Sequence, residues 1–214
     1  MNTLKIRRTA IAVAAAALLP FTLAACSDSG DTKAAPPAAG DQAKTGESTP
    51  ADDAMTGDQP FGAACAGVPK EGAGSFDGMA KDPVATAASN NPALSTLVAA
   101  VKQAGLVDTL NNAKDITVFA PTNDAFAKIP KADLDKVLAD KEQLTKILTY
   151  HVVGQKLTPK QLGNGSFETL QKGMVNTSGS GEAYKVNDTS NVVCGNVKTA
   201  NANVYIVDTV LMPK

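Results

Sequence analysis

The 214-residue sequence has no tryptophan, one histidine and three cysteines, and aromatic residues make up only 4% of it. Apart from Cys26 in the N-terminal segment, Cys65, Cys194 and the lone His151 offer too few ligands for a structural metal site, so no metal or cofactor is expected. There is no Cys-x-x-Cys pair for redox chemistry and no Gly-x-Ser-x-Gly elbow for a serine nucleophile. Catalysis through His151 would need a nucleophile and an orienting acid beside it, and no spacing marks either. The chain therefore does not read as an enzyme. An excess of one charge is missing as well. Twenty Lys and Arg stand against 21 Asp and Glu, a formal net charge of −1, without the basic footprint of a nucleic-acid binder. A membrane-spanning run is also lacking. The apolar stretch from Thr9 to Phe21 is broken by Pro20 and falls short of the ~20 residues a spanning helix needs.

The N-terminus instead has the three zones of an export signal. Lys5, Arg7 and Arg8 give a positive start, an Ala- and Leu-rich run follows, and Leu23-Ala24-Ala25-Cys26 closes it with small residues before a cysteine. That last quartet resembles the bacterial lipobox. The resemblance implies cleavage after residue 25 and acylation of Cys26, which would anchor the chain in the cell membrane facing outward, with part of it released. Each buried methylene contributes ~0.8 kcal/mol, so two or three acyl chains hold firmly.

Residues 26–60 follow as a tether rich in Ala, Gly, Pro, Thr and Asp. With almost no large apolar side chain, this segment cannot offset the entropy of ordering it. Residues 27–60 carry seven acids against two bases, and residues 61–214 come to +1. The tether's r.m.s. reach is about 30–35 Å. Cys65 and Cys194 remain. Export places them in an oxidising compartment, where two cysteines pair, so a Cys65–Cys194 disulfide is expected to tie an N-terminal extension (61–76) to the domain proper (77–214).

Within the domain, Asp82 and Pro83 open one helix as cap and first residue, and Asn91 and Pro92 open another that runs to Ala104 and stops at Gly105. Ile116–Phe119 reads as a strand stopped by Ala120-Pro121. Thr122 caps a helix to Ile129, and two short helical patterns cover Asp133–Leu138 and Gln143–Leu148. Tyr150-His151-Val152-Val153 has strand character. After Gly163 the pattern turns to strands at Phe167–Leu170, Met174–Thr177, Tyr184–Val186, Val192–Ala200 and Val204–Leu211. Helices first and strands later indicate an α+β fold.

Three segments resemble the fasciclin domain family: Thr117-Val118-Phe119-Ala120-Pro121-Thr122-Asn123-Asp124-Ala125-Phe126, then Leu148-Thr149-Tyr150-His151-Val152-Val153, then Thr199 through Pro213. Together with the lipobox, the tether and the cysteine pair, they are similar to single-domain surface lipoprotein antigens of mycobacteria and related actinobacteria. The resemblance implies an antiparallel β-wedge with short helices packed against it. It also implies an adhesion or interaction module, whose partner is expected to be a protein or glycan of the envelope, a neighbouring cell or the host matrix; the chain is expected to be a monomer. In animal members the Tyr-His region takes part in adhesion, which makes Tyr150 and His151 the candidate interaction residues. Thr117, Phe119, Pro121, Thr122, Asn123, Phe126 and Asp208 are expected to serve mainly the fold. One departure stands out: the family often has a histidine where this chain has Tyr205. The alternative function is an envelope binder of a lipid or glycan in an apolar cleft between wedge and helices.

Overall fold

The computed structural model describes residues 59–213; the signal segment, Cys26 and the tether up to residue 58 lie outside the described residues. Described order begins against the sheet. Phe61 exchanges two backbone hydrogen bonds with Gly195 (3.1 and 2.8 Å), and a 3-10 helix, Ala63–Gly67, carries Cys65 to Cys194. The two cysteines are joined in a disulfide with Cα atoms 4.9 Å apart, 129 residues apart in sequence.

A layer of short helices comes next: α1 (Phe76–Met79), α2 (Val84–Ser89), a 3-10 turn (Pro92–Leu94), α3 (Ser95–Ala104) and α4 (Val107–Asn112). Ser75 caps α1 by accepting from the Gly78 amide, and α3 ends at Gly105 in the left-handed conformation, where glycine carries no Cβ penalty. The expected cap of α2 is different. Pro83 itself holds the N-cap position, and Asp82 turns aside to accept a hydrogen bond from Asn90 Nδ2 (3.3 Å). The free amides of Val84 and Ala85 donate instead to Asn201 Oδ1 (2.9 Å) and Asn111 Oδ1 (3.0 Å).

The strands and remaining helices are β1 (Ile116–Pro121), α5 (Asn123–Ala127), α6 (Lys131–Ala139), α7 (Lys141–Tyr150), β2 (Val152–Val153), α8 (Pro159–Leu162), β3 (Asn164–Glu168), β4 (Met174–Ser180), β5 (Ala183–Val186), β6 (Ser190–Lys198) and β7 (Ala202–Val207). They form one seven-stranded sheet in the order β2-β1-β7-β6-β5-β4-β3. A bridge between Val153 and Thr169, with the Leu170 amide donating to Val152 O at 2.8 Å, brings its two ends almost to closure. All neighbouring pairs run antiparallel except β1 and β7, which are parallel.

That central parallel pair is buried along its whole length. Alternation along each strand sends side chains into two different cores. Ile116, Val118, Val204 and Ile206 face the helices, among Leu97, Val101, Leu110 and Leu148. Phe119, Tyr205 and Val207 face the inside of the wedge, among Phe61, Leu157, Leu162, Tyr184 and Val186.

Tyr150 and His151 do not belong to a strand. Helix α7 runs on through Tyr150, driven by the apolar spacing of Leu144 and Leu148, and His151 is its C-cap with helical dihedrals (φ −79°, ψ −3°). Strand character begins only at Val152. The last two strands also lie earlier than expected: β6 is Ser190–Lys198 instead of Val192–Ala200, and β7 is Ala202–Val207 instead of Val204–Leu211. Thr199–Asn201 is a turn closed by two hydrogen bonds between Thr199 and the Ala202 backbone, and the chain leaves the sheet after Val207.

Candidate functional site

The residues of the first motif hold the fold through distant partners. Thr117 Oγ1 donates to Gln155 O (2.8 Å) and accepts from the Leu157 amide (2.8 Å), fixing the loop after β2. Pro121 ends β1, and Thr122 Oγ1 caps α5 by accepting from the Ala125 amide (3.1 Å). Phe119 lies wholly inside the wedge, and Phe126 packs in the helix-side core. Asn123 serves a neighbouring helix: its Oδ1 accepts from the Thr96 amide (2.9 Å) and Ser95 Oγ (3.2 Å), and its Nδ2 donates to Pro92 O (3.0 Å). It therefore caps α3 from 27 residues away.

Asn201, which the sequence pattern does not single out, is tied more heavily still. Its Nδ2 donates to Leu110 O (2.8 Å) and Ala113 O (2.7 Å) while Oδ1 caps α2. Replacing Asn201 with Ala strands these buried groups, each worth about 1–3 kcal/mol when left unpaired. The Asn201→Ala chain is expected to be destabilised by about 3 kcal/mol or more in urea unfolding, with α2 the first segment to lose hydrogen-exchange protection.

His151 is 2% exposed. Its Nε2 accepts from the Leu211 amide (2.9 Å), so the ring proton sits on Nδ1 and is donated to Ile147 O (2.8 Å). Burial pulls its pKa from 6.5 down to about 4, against the opposing pull of the Ile147 carbonyl. Both ring nitrogens are committed to the backbone, and the imidazole stitches α7 to the C-terminal segment.

Tyr150 is 3% exposed. Its hydroxyl donates to Met174 O (2.8 Å) and accepts from Asn187 Nδ2 (2.9 Å), while Asn187 Oδ1 accepts from the Asn176 amide (3.0 Å). A methyl group on Gly173 would come within 2.9 Å of the Tyr150 ring. The expectation that Tyr150 and His151 themselves form a contact surface thus meets a correction: both side chains point inward, and they brace whatever surface lies above them.

Above Tyr150 lies the turn between β3 and β4. Leu170 on this turn (40% exposed) and Met174 at the first position of β4 (50%) are two of the large apolar side chains that stand open to solvent. An open groove of about 560 Å³ runs beside it, between Gly154-Gln155 and Ser166–Thr169, where the sheet's two ends part. An apolar Leu and Met flanking the polar Gln171-Lys172-Gly173 were the available sequence signal, and periodicity alone does not separate exposed apolar residues from core.

Asp208 acts at the far end of β7. Its carboxylate accepts from the Asn191 amide (2.8 Å), Asn191 Nδ2 (3.0 Å) and Thr209 Oγ1 (3.0 Å), with Lys128 Nζ at 3.4 Å. Partial burial pushes its pKa up, but these donors and Lys128 outweigh it and hold the group below the usual carboxylate range. Tyr205, at the family's histidine position, is fully buried and donates to Leu157 O (2.9 Å). Among the described residues no group of three or more His, Cys, Asp or Glu is placed to hold a metal ion, and no helix is long and apolar enough to cross a membrane.

The fasciclin domain family matches residues 92–213. Immunogenic protein MPB70 of Mycobacterium bovis is 50% identical over 147 residues, covering 66% of this chain and 75% of its own. Cell surface glycolipoprotein MPT83 of Mycobacterium tuberculosis is also 50% identical over 147 residues, 66% of each chain. Protein sll1483 of Synechocystis is 40% identical over 128 residues, 59% of this chain and 71% of its own. Among solved structures, a FAS1 domain pair from the insect cell adhesion molecule fasciclin I shares the fold, with a TM-score of 0.52 at 21% identity over 63% of this chain and 52% of that one.

Proposed function

The chain belongs to the fasciclin family, and from that membership we propose that it is a surface-displayed interaction module, anchored by a lipid on Cys26 and binding a protein or glycan of the envelope, a neighbouring cell or the host matrix. Its relatives' description as cell surface glycolipoproteins supports the placement in the envelope. The module acts as a monomer and by contact; the commitment of both His151 nitrogens to backbone groups supports binding over catalysis.

One observation carries the location of the contact. Leu170 on the β3–β4 turn and Met174 at the start of β4 stand exposed, and Tyr150 and Asn187 brace the Met174 backbone from below. Apolar anchors on a preorganised support lose little entropy on binding, which is how a few residues come to dominate an interface. The test uses the Cys26→Ser chain, so that no acyl group confuses the readout, on an array of matrix proteins and envelope glycans. Specific retention of one partner is expected. It should weaken at least tenfold in the Leu170→Ser/Met174→Ser variant, whose stability changes by no more than about 0.5 kcal/mol because both positions are on the surface. An array that retains nothing sinks the reading.

A further inference from the structure

The helices and the sheet do not close completely on one another. Between α2, α3 and α4 on one side and β1 and β7 on the other lies a crevice of about 40 Å³, with Leu97, Val101, Val118 and Val204 among its walls and Ala88 and Val98 towards its partly exposed side. Ser89 and His151 are the only polar side chains lining it, and both are already occupied. Ser89 Oγ donates to Ala85 O (2.8 Å), and His151 bonds to Ile147 and Leu211. A sugar placed here would leave its hydroxyls unpaired, at a cost of about 1–3 kcal/mol each. The crevice thus excludes a glycan.

Size narrows the ligand further. The volume exceeds the ~10–15 Å³ that a water needs but is far below the ~150 Å³ of a cavity that admits benzene. An aromatic ring is too wide, whereas the methyl end of a straight hydrocarbon fits. A second apolar cavity, about 20 Å³, lies under α6, and Leu148 and His151 line both. Leu148 and the backbone-bonded His151 are thus a wall common to the two voids. The wall that yields is α2. Its sequence Val-Ala-Thr-Ala-Ala-Ser buries only small side chains, and its first amides hang on Asn201 and Asn111 instead of a cap of its own.

We propose that this crevice is a binding site for the end of an unbranched alkyl chain, such as the acyl tail of a lipid. Two sources supply that chemistry: a free lipid, or the acyl chain expected on Cys26. The site is separate from the Leu170–Met174 turn, so it stands or falls independently of the contact surface.

The test follows methyl resonances of Val98, Val101, Val118 and Val204 in the delipidated Cys26→Ser chain during titration with sodium decanoate below its micelle concentration, with glucose as comparator. Saturable shifts with decanoate and none with glucose are expected. Ala88→Leu, which fills the crevice from α2, should weaken decanoate binding at least tenfold; Val98→Phe fills it from α3 should the first variant fail to fold. Absence of saturable shifts, equal shifts with glucose, or undiminished binding in a folded filled variant overturns the proposal. A parallel titration of the chain with Cys26 intact, extracted from membranes, identifies the source. Refusal of decanoate there assigns the site to the protein's own acyl chain, and uptake assigns it to a free lipid.

Discussion

Between pH 7 and pH 4 the domain is expected to lose about 3 kcal/mol of stability through His151 alone. The group's folded pKa lies near 4, below its ordinary 6.5, so the unfolded chain binds the proton more readily. Stability is therefore fully present above pH 6.5, falls by up to about 1.4 kcal/mol per pH unit below it, and levels off below pH 4. Structurally, the added proton on Nε2 would face the Leu211 amide, a donor against a donor, so α7 and the C-terminal segment must separate. Urea unfolding at a series of pH values measures this directly. In His151→Gln the slope between pH 6.5 and 4 should vanish, while stability at pH 7 drops because the two backbone bonds are lost. Asp208 works in a different window. Its pKa is held below the carboxylate range, so its contribution is present above about pH 4 and disappears only as pH falls further. An acid slope that persists unchanged in His151→Gln would refute the assignment.

Opening the Cys65–Cys194 bridge is expected to cost a further large amount, about 2–5 kcal/mol. The bridge spans 129 residues, nearly the whole described domain, and chain-entropy arguments give about 5 kcal/mol as the upper figure for such a loop. Part of the bridged segment has its own hold. Phe61 packs against the rings of Tyr184 and Tyr205, with centroids 5.3 and 6.4 Å away, and pairs with Gly195. Reduction should therefore lower the unfolding midpoint while the folded domain keeps Phe61 in place. Cys65→Ala/Cys194→Ala, compared with the parent by denaturant unfolding under oxidising conditions, separates the bridge from any effect of the reductant. Equal stability of the two would show that the bridge adds nothing to this fold.

Local pattern carried much of this architecture. The Val118-Phe119 strand, its stop at Pro121, the Thr122 cap and the helix ending at Gly105 are all decided by neighbours in sequence, and each stands where the residues place it. What local pattern misses is done at long range. The cap of α2 comes from Asn201, 117 positions away, and Asn123, at the start of one helix, spends its side chain on another. Tyr150 and His151 read as strand because they precede two valines, yet the helix register set by Leu144 and Leu148 carries through them. The parallel pairing of β1 with β7 is invisible in either strand alone; only their largely apolar character, broken by Thr117 and Asn203, hints at burial on both faces. The candidate site was legible in neighbourhood but not in orientation. The tyrosine and histidine were found, and burial turned them from contacts into supports.

The measurement that tests this account most directly compares partner binding and thermal stability side by side in Tyr150→Phe and in Leu170→Ser/Met174→Ser. Tyr150→Phe removes the hydroxyl that holds Met174 O and Asn187, so it should lower stability by about 1–3 kcal/mol and weaken binding only as far as the turn loosens. The surface variant should leave stability nearly untouched and weaken binding at least tenfold. The opposite pattern, with full binding in the surface variant and complete loss in a stable Tyr150→Phe chain, would mean that the buried tyrosine itself meets the partner and would contradict the account.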